Sequence, residues 1–233
     1  MLEEILKTGA QAMGLPVPDA ALAPLRTYFT LLAEKNSVMD LTAVTGEEQV
    51  ARRHFLDSLM LLRYADFAGK KVIDVGTGAG FPGLPLKLAV PSMELTLLDA
   101  QQKRVAFLQQ ACAACGVEAA CIHARAEEAA SQLREQFQVA VSRAVARLNV
   151  LCELCLPLVQ PGGLFLAMKG SAAQEEVDEA RNAIGVLGGS LEGVETYTLP
   201  GEDILRAVVL VRKKGQTPPQ YPRRFARIQK KPL

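Results

Sequence analysis

Hydrophobic residues recur at helical spacing in the first part of the chain. Apolar positions three or four apart predict one helix over residues 2–13 and another over residues 19–34, with Asp19 as the N-cap of the second. A third helix is predicted to begin at a capping box, in which Thr45 is the cap and Glu48 reaches back to it. The chain therefore begins with a helical region.

From residue 70 the pattern changes to short apolar runs separated by helical stretches. Strands are predicted at 72–75, 95–98, 117–122, 139–141 and 164–168, and helices at 84–88, 103–115, 127–136, 148–156 and 174–187. This alternation is typical of a mainly parallel sheet with helices on both faces. Two further runs, 193–199 and 205–211, are too closely joined for a parallel crossover, and therefore predict a closing antiparallel pair.

The pattern divides the chain into three regions. We predict a helical extension over 1–66 packed on the core, an α/β domain over 67–213 and a tail over 214–233. A chain of 233 residues, 49% of them hydrophobic, can bury one enlarged core. The acidic start and the absence of an apolar run near the ~18 residues of a membrane span lead us to expect a soluble, cytoplasmic protein. We also predict that it is a monomer.

Residues 72–83, V-I-D-V-G-T-G-A-G-F-P-G, predict a buried strand, a glycine turn and a helix. Glycines at 76, 78 and 80 permit positive φ angles and let a ligand approach the bare backbone. Asp99 ends the next predicted strand, where a carboxylate can accept from ribose hydroxyls. The turn is therefore predicted to bind a nucleotide-like ligand.

Two cofactors fit this turn. Gly78, Gly80 and Gly83 match the G-x-G-x-x-G pattern of NAD-binding enzymes. Asp74, however, would repel a pyrophosphate, and the same carboxylate would attract the ammonium group of S-adenosylmethionine. We therefore predict S-adenosylmethionine, with Asp74, Gly76, Gly78 and Asp99 as contacts.

The five cysteines include the pairs Cys112/Cys115 and Cys152/Cys155, which formally allow a four-thiolate zinc site. Neither pair lies in a glycine-rich knuckle, and helical spacing favours small buried residues, so no metal is expected.

The distribution of charge is more informative than the cysteines. After Ile204 there are nine basic residues and no acidic one, a pattern typical of a polyanion partner or of a solvated basic tail. Four prolines predict that the tail is extended.

An ordered set of motifs resembles the RsmG family, also called glucose-inhibited division protein B. The motifs are D-L-T-A-V (40–44), R-H-F-L-D-S-L (53–59), the glycine turn continued as L-P-L, R-A-E-E (125–128), S-R-A (142–144), M-K-G (168–170), Y-P-R-R (221–224) and a terminal K-K-P-L. These bacterial enzymes methylate a guanine N7 of 16S ribosomal RNA. Residues 225–229 depart from the family pattern, because relatives tend to have a glycine and proline turn there, and Asp40 stands where they usually have asparagine.

The resemblance implies a Rossmann-like class I methyltransferase fold with a seven-stranded sheet. It also implies cofactor contacts by Gly76, Phe81, Ala126, Glu127 and Arg143. All of these follow predicted strands, at the edge where open α/β sheets bind ligands. The implied partner is 16S ribosomal RNA within the small subunit.

The residues after the fourth strand, Ser142-Arg143-Ala144, lack the Asn/Asp-Pro-Pro-aromatic motif that activates an exocyclic amine, and no cysteine follows a strand as a nucleophile. Guanine N7 carries a lone pair and no proton, so direct methyl transfer by positioning needs no general base. Arg143 and Lys169 are candidates for holding the base. No residue is assigned as a catalytic acid, base or nucleophile.

Residues expected to contact RNA lie in the third helix, after the fifth strand and in the tail: Arg52, Arg53, His54, Lys169, Arg223 and Arg224. His54, Asp57 and Ser58 lie within five positions of one helix, too close together to converge as a hydrolytic triad.

Overall fold

The computed structural model describes all 233 residues, Met1–Leu233. Its seven strands are β1 (Lys71–Val75), β2 (Glu94–Asp99), β3 (Ala120–His123), β4 (Phe137–Arg143), β5 (Val159–Lys169), β6 (Gly189–Tyr197) and β7 (Arg206–Lys213). They are ordered β3-β2-β1-β4-β5-β7-β6. The first five are parallel, and β7 runs antiparallel to both β5 and β6, so the predicted sheet and its closing pair are confirmed.

Nine helical segments surround the sheet. They are α1 (Leu2–Ala12), α2 (Leu22–Met39), α3 (47–63), α4 (Gly83–Ala89), α5 (Gln102–Ala114), α6 (Ala126–Leu133), α7 (Leu148–Cys155), α8 (Ala173–Val186) and α9 (Phe225–Lys230). Alternate strand residues face opposite sides, so Val72 and Leu97 enter one core while Ile73 and Leu98 enter the other. Helices α1 to α5 cover the first side, and α6 to α9 cover the second.

Helix α3 is composite: Glu47–Val50 is α-helical, Ala51–Leu56 forms a π-helical segment, and Met60–Arg63 ends as a 3₁₀ turn. Extra-wide turns of this kind are frequent at functional sites. The predicted caps are wrong. Gly46, with φ of +88°, precedes α3 and no side chain caps it, while Asp19 lies in a separate 3₁₀ turn before α2.

The tail is not extended, contrary to the prediction. It folds back against the second side of the sheet, where Ile228 of α9 is fully buried. Arg134 donates to the backbone oxygens of Tyr221 and Pro218 at 2.8 and 3.2 Å, and also to that of Thr217. Because prolines have no amide hydrogen, the tail cannot pair its carbonyl groups through its own amides. Groups of the body supply the hydrogen-bond donors instead. None of the helices is long and apolar enough to cross a membrane.

Candidate active site

The glycine turn joins β1 to α4 and is held by the end of β2. The amides of Gly76 and Thr77 both donate to the Leu98 carbonyl, at 2.8 and 3.2 Å. The Gly78 amide donates to Oδ2 of Asp99 at 2.9 Å. Gly76 and Gly78 have φ angles of +68° and +60°, a region that favours glycine. The turn therefore points its backbone toward the carboxyl edge of the sheet.

Two of the glycines are also required by close packing. A Cβ on Gly76 would lie 2.5 Å from Cγ2 of Val145, in the loop after β4, and one on Gly80 would lie 2.7 Å from the hydroxyl of Tyr28 on α2. A Cβ on Gly78, by contrast, would meet no atom within 4 Å. The turn is thus supported on two sides and open above Gly78, where a ligand can approach.

Asp74 lies beneath the turn and is fully buried. Its Oδ2 accepts from the Thr77 hydroxyl at 2.7 Å and from the Gly83 amide at 2.8 Å. Its Oδ1 has no hydrogen-bond partner in the protein. Burial raises the pKa of Asp74 to about 6, although the two hydrogen bonds and Arg143 favour the charged form. A buried carboxylate oxygen without a donor suits a cationic or hydrogen-donating ligand group.

A small cavity of about 140 Å³ adjoins the turn. Four of the predicted cofactor residues line it: Gly76, Asp99, Ala126 and Glu127. Most of its other walls are apolar, from Leu98, Ala100, Ala124, Val145, Leu154 and Phe225. A carboxylate at one edge and apolar walls around it fit the ribose and adenine of S-adenosylmethionine. Asp74, Gly78 and Phe81 line neither this cavity nor the larger one described below, and Arg143 lines only the larger one.

Arg143, at the end of β4, is the centre of a polar network. Its Nη1 donates to the Arg53 carbonyl at 3.0 Å and to Oδ2 of Asp57 at 2.9 Å, and its Nη2 lies 3.2 Å from Nδ1 of His54. Its guanidinium carbon is 5.1 Å from the centroid of the Phe81 ring. Three of the five N–H groups of the fork are thereby occupied, and two remain to meet a ligand.

His54 is fixed as a neutral ring. Burial, followed by the charge of Arg143, lowers the pKa of His54 to about 3. Nδ1 of His54 lies 3.2 Å from Nη2 of Arg143 and 3.1 Å from the Arg53 carbonyl, and its Nε2 lies 2.7 Å from the Thr42 hydroxyl. The ring stacks on Phe81 with centroids 4.5 Å apart. These contacts place His54 as a support for Arg143 and Phe81.

Asp57 is a candidate site residue that the sequence pattern identified only as a neighbour of His54. It is 1% exposed, and it accepts from Arg143 and from the Tyr197 hydroxyl, at 2.9 and 2.8 Å. Arg206 of β7 lies 3.4 Å away. In the sequence, only its position one helical turn after His54 could have indicated its place at the site. Its contacts to β4, β6 and β7 are long-range and do not follow from spacing.

A larger cavity of about 660 Å³ opens at the same edge of the sheet. Basic side chains line it: Arg53, Arg143, Arg147, Lys169 and Arg206. Its rim carries Val145, Ile204 and Leu205, which are three of only five exposed large hydrophobic residues in the protein. Because Val145 lines both cavities, the larger one lies next to the small one. An aromatic, negatively charged ligand fits this lining.

The residues expected to contact RNA lie in different settings. Arg53 lines the larger cavity and pairs with Glu202 at 2.5 Å, and Arg52 donates to Glu48 and to the Pro200 carbonyl. Lys169 is 7% exposed and pairs with Glu176 at 2.7 Å.

In the tail, Arg223 is held by the fully buried carboxylate of Glu153, with Nη2 and Oε2 2.6 Å apart. This pairing argues against a phosphate contact by Arg223, because leaving Glu153 unpaired would be costly. Arg224 is exposed and forms no ion pair.

The cysteine pairs do not come together. Cys112 packs in the first core, whereas Cys152 and Cys155 pack in the second, across the sheet. Burial raises the pKa of Cys152 to about 12. The protein has no group of three or more potential ligands placed to hold a metal ion.

Comparison with known proteins gives a family match over most of the chain. The model of the family GidB, described as rRNA small subunit methyltransferase G, matches residues 21–204. A protein named ribosomal RNA small subunit methyltransferase G from Pelotomaculum thermopropionicum is 44% identical over 237 residues, covering 100% of this chain and 99% of its own. One of the same name from Geobacillus kaustophilus is 43% identical, covering 97% of each chain.

Solved structures agree on the fold. PH0226 from Pyrococcus horikoshii superposes with a TM-score of 0.58 at 15% identity, covering 78% of this chain and 99% of its own. TrmN from Thermus thermophilus gives 0.52 at 20% identity, covering 70% and 53%. TYW2 from M. jannaschii, solved in complex with AdoMet, gives 0.53 at 10% identity, covering 64% and 71%. The Rossmann-like methyltransferase fold is confirmed.

Proposed function

Because this chain belongs to the rRNA small subunit methyltransferase G family, we propose that it methylates N7 of a guanine in 16S ribosomal RNA. The methyl donor is S-adenosylmethionine, which supplies an electrophilic methyl group on a sulfonium sulfur. The proposal rests on two adjoining cavities at the carboxyl ends of β1, β2, β4 and β5. The smaller cavity is suited to an adenosyl group, and the larger one is basic with an apolar rim.

The proton acceptors of the larger cavity are already engaged, which supports an acceptor atom that needs no deprotonation. Asp57 accepts from Arg143 and Tyr197. Glu176 accepts from Lys169 and from the Leu148 amide, at 2.7 Å each. The pKa of His54 is lowered to about 3 by burial and by Arg143, and both of its ring nitrogens already have partners in the protein. Guanine N7 has no proton to lose.

Positioning is then the main contribution of the protein. Arg143 presents its two remaining N–H groups from a guanidinium fixed by Asp57, His54 and Phe81. We assign to it the orientation of the guanine or of the cofactor from the wall of the larger cavity, since a fixed fork recognises planar acceptors well. Lys169 is the second candidate for holding the base, but its ammonium is turned to Glu176 and the Ala146 carbonyl. Desolvation and proximity of two oriented reactants lower the barrier without acid or base catalysis.

The test incubates the purified protein with labelled S-adenosylmethionine and with either small ribosomal subunits or naked 16S ribosomal RNA, both from a strain that lacks the modification. We expect label in the RNA and strand scission at one guanine after reduction and aniline treatment. Label without scission would assign another acceptor atom. Cofactor binding with neither label nor scission, on both substrates, would reject the proposed reaction.

A further inference from the structure

The C-terminal helix α9 reaches the cofactor side of the molecule. Its first residue, Phe225, lines the small cavity together with Gly76, Asp99 and Ala126. The guanidinium carbon of Arg125, which lines the same cavity, lies 5.7 Å from the centroid of the Phe225 ring. An aromatic ring supported by a cation is a stable surface for packing.

This ring is held in place from both sides. Before it, Arg223 donates to both oxygens of Glu153, with Nε–Oε1 and Nη2–Oε2 distances of 2.8 and 2.6 Å, and Glu153 is fully buried on α7. After it, Ile228 is fully buried in the second core. An ion pair inside the protein two residues before Phe225 and a buried aliphatic side chain three residues after it fix the start of α9 as a wall.

The connection to the sheet is anchored as well. Lys213, at the end of β7, is fully buried and donates to Glu135 and to the Thr217 hydroxyl, at 3.2 and 2.7 Å. The Thr217 amide donates to the same Glu135 carboxylate at 2.7 Å. The tail therefore leaves the sheet along a fixed path that delivers Phe225 to the cavity.

We infer that the C-terminal tail completes the cofactor site, and that Phe225 is a contact for the adenine of S-adenosylmethionine. The cavity offers the carboxylates of Asp99 and Glu127 together with apolar side chains, among them Leu98, Val145 and Leu154. A purine ring packed against a phenyl ring gains from area burial and from ring–ring contact. The inference concerns the methyl donor and does not depend on which RNA atom is methylated.

The two faces of α9 differ in chemistry. Phe225 and Ile228 face the body, whereas Arg224, Arg227, Lys230 and Lys231 are exposed and form no ion pair. Exposed cations on the outer face allow a matched control, because Arg227 lies on the same helix as Phe225 but lines no cavity beside the turn. A change there alters the helix surface and leaves the wall intact.

The experiment measures the dissociation constant of S-adenosylmethionine by titration calorimetry on the full chain without RNA. Phe225→Ala is expected to weaken binding on the order of three- to tenfold, Phe225→Leu less, and Arg227→Ala not at all. Glu153→Gln, which loosens the anchor of Arg223, is expected to weaken binding in the same direction. Circular dichroism and the thermal unfolding midpoint identify any variant that fails to fold.

Unchanged cofactor affinity in folded Phe225→Ala, with wild-type binding normal, would overturn the inference. Equal weakening by Arg227→Ala would overturn it too, because the effect would then belong to the helix as a whole. Should Phe225→Ala not fold, Phe225→Leu at wild-type affinity would be the contrary result. These outcomes can be distinguished from failure of the proposed reaction. If the wild-type protein binds cofactor but does not methylate RNA, and Phe225→Ala still weakens cofactor binding, only the proposed acceptor is rejected.

Discussion

Asp74 combines a structural cost with a predicted contact to the cofactor. Its carboxylate is buried, one oxygen has no donor, and its pKa is raised to about 6 from an ordinary 3.8. Because the folded protein binds this proton more tightly than the unfolded chain, Asp74 makes stability fall as pH rises from about 4 to about 6. Above that range the full cost of the buried charge is present, and a cationic ligand would offset it.

We expect Asp74→Asn to separate these two effects. At pH 7.5 the variant should be more stable than the wild type by about 1–3 kcal/mol, since no charge is buried, while Asn can still accept from Thr77 and Gly83. Its affinity for S-adenosylmethionine should fall on the order of tenfold, because the attraction to the ammonium group is lost. Denaturant unfolding and calorimetry measure the two quantities.

The pH dependence provides the internal control for Asp74. Wild-type cofactor affinity is expected to rise between pH 5 and pH 7, as the carboxyl ionises, whereas the affinity of Asp74→Asn should not follow that rise. Thr77→Val, which removes a hydrogen bond to the same carboxylate without removing its charge, should keep the rise and shift it to higher pH. Parallel pH profiles for the wild type and Asp74→Asn would contradict the proposed contact.

At the level of elements, the segment between β6 and β7 carries an unusual surface. Ile204 and Leu205 are 53% and 43% exposed, and they stand on the rim of the larger cavity beside arginines of β4 and β7. Exposed aliphatic residues can pack against an unstacked base while neighbouring cations meet its phosphates. A guanine must leave its stack to reach a methyl group in a recessed site.

We expect Ile204→Ala/Leu205→Ala to lower kcat/KM for ribosomal RNA on the order of ten- to a hundredfold, since burying an aliphatic side chain against a base contributes about 1.5–3 kcal/mol. Cofactor affinity and the unfolding midpoint should be unchanged, because neither residue lines the small cavity or the cores. The matched control is Val38→Ala, a more exposed apolar residue outside both cavities. Wild-type kcat/KM in the double variant would exclude the rim from acceptor binding.

Elements with a clear period were predictable from sequence, and long-range pairings were not. The strand at 72–75 and the closing pair follow from continuous apolar runs and a short connection. The prediction of Thr45 as an N-cap was wrong because Gly46, with φ of +88°, precedes the helix. The tertiary structure sets this conformation, and the capping pattern does not encode it. The prediction of an extended tail was wrong for a similar reason. Its prolines indicate extended backbone, but Glu153 and Arg134, distant in sequence, fold it onto the body.

The candidate site shows the same difference between residues placed by local pattern and residues placed by long-range contacts. Gly76, Asp99, Ala126 and Glu127 follow strand ends, and parallel strands bring such residues to one edge, so their convergence was predictable. Phe225 lies about 150 residues beyond the turn and follows no strand, and nothing in its local pattern distinguishes it from a surface residue.

For the whole molecule, the charge of the C-terminal region divides into two parts. Arg206, Arg212, Lys213 and Arg223 pair with body carboxylates. Lys214, Arg224, Arg227, Lys230 and Lys231 are exposed and form no ion pair. Of the first group only Arg223 lies in the tail and fixes it, since the other three belong to β7. In the second group Lys214 follows β7 at the edge of the sheet opposite the cavities, and the other four lie in and around α9, where they remain available to phosphates.

We therefore expect a combined Lys214→Gln, Arg224→Gln, Lys230→Gln and Lys231→Gln variant to bind ribosomal RNA with a weaker salt dependence. If all four side chains contact phosphates, the slope of log K against log salt should fall by about 3. A filter-binding or anisotropy titration over a series of salt concentrations measures it, with Arg181→Gln on α8, paired with Asp178 away from the site, as the control.

The same variant distinguishes the two roles of the tail. Its affinity for S-adenosylmethionine without RNA should equal that of the wild type, because none of the four side chains lines the small cavity, whereas Phe225→Ala should change cofactor affinity and leave the salt slope intact. Since both contacts are made by one anchored segment, bound RNA should tighten cofactor binding in the wild type, and cofactor should tighten RNA binding by the same factor. An unchanged salt slope in the fourfold variant would assign phosphate binding to the arginines of the larger cavity instead of the tail.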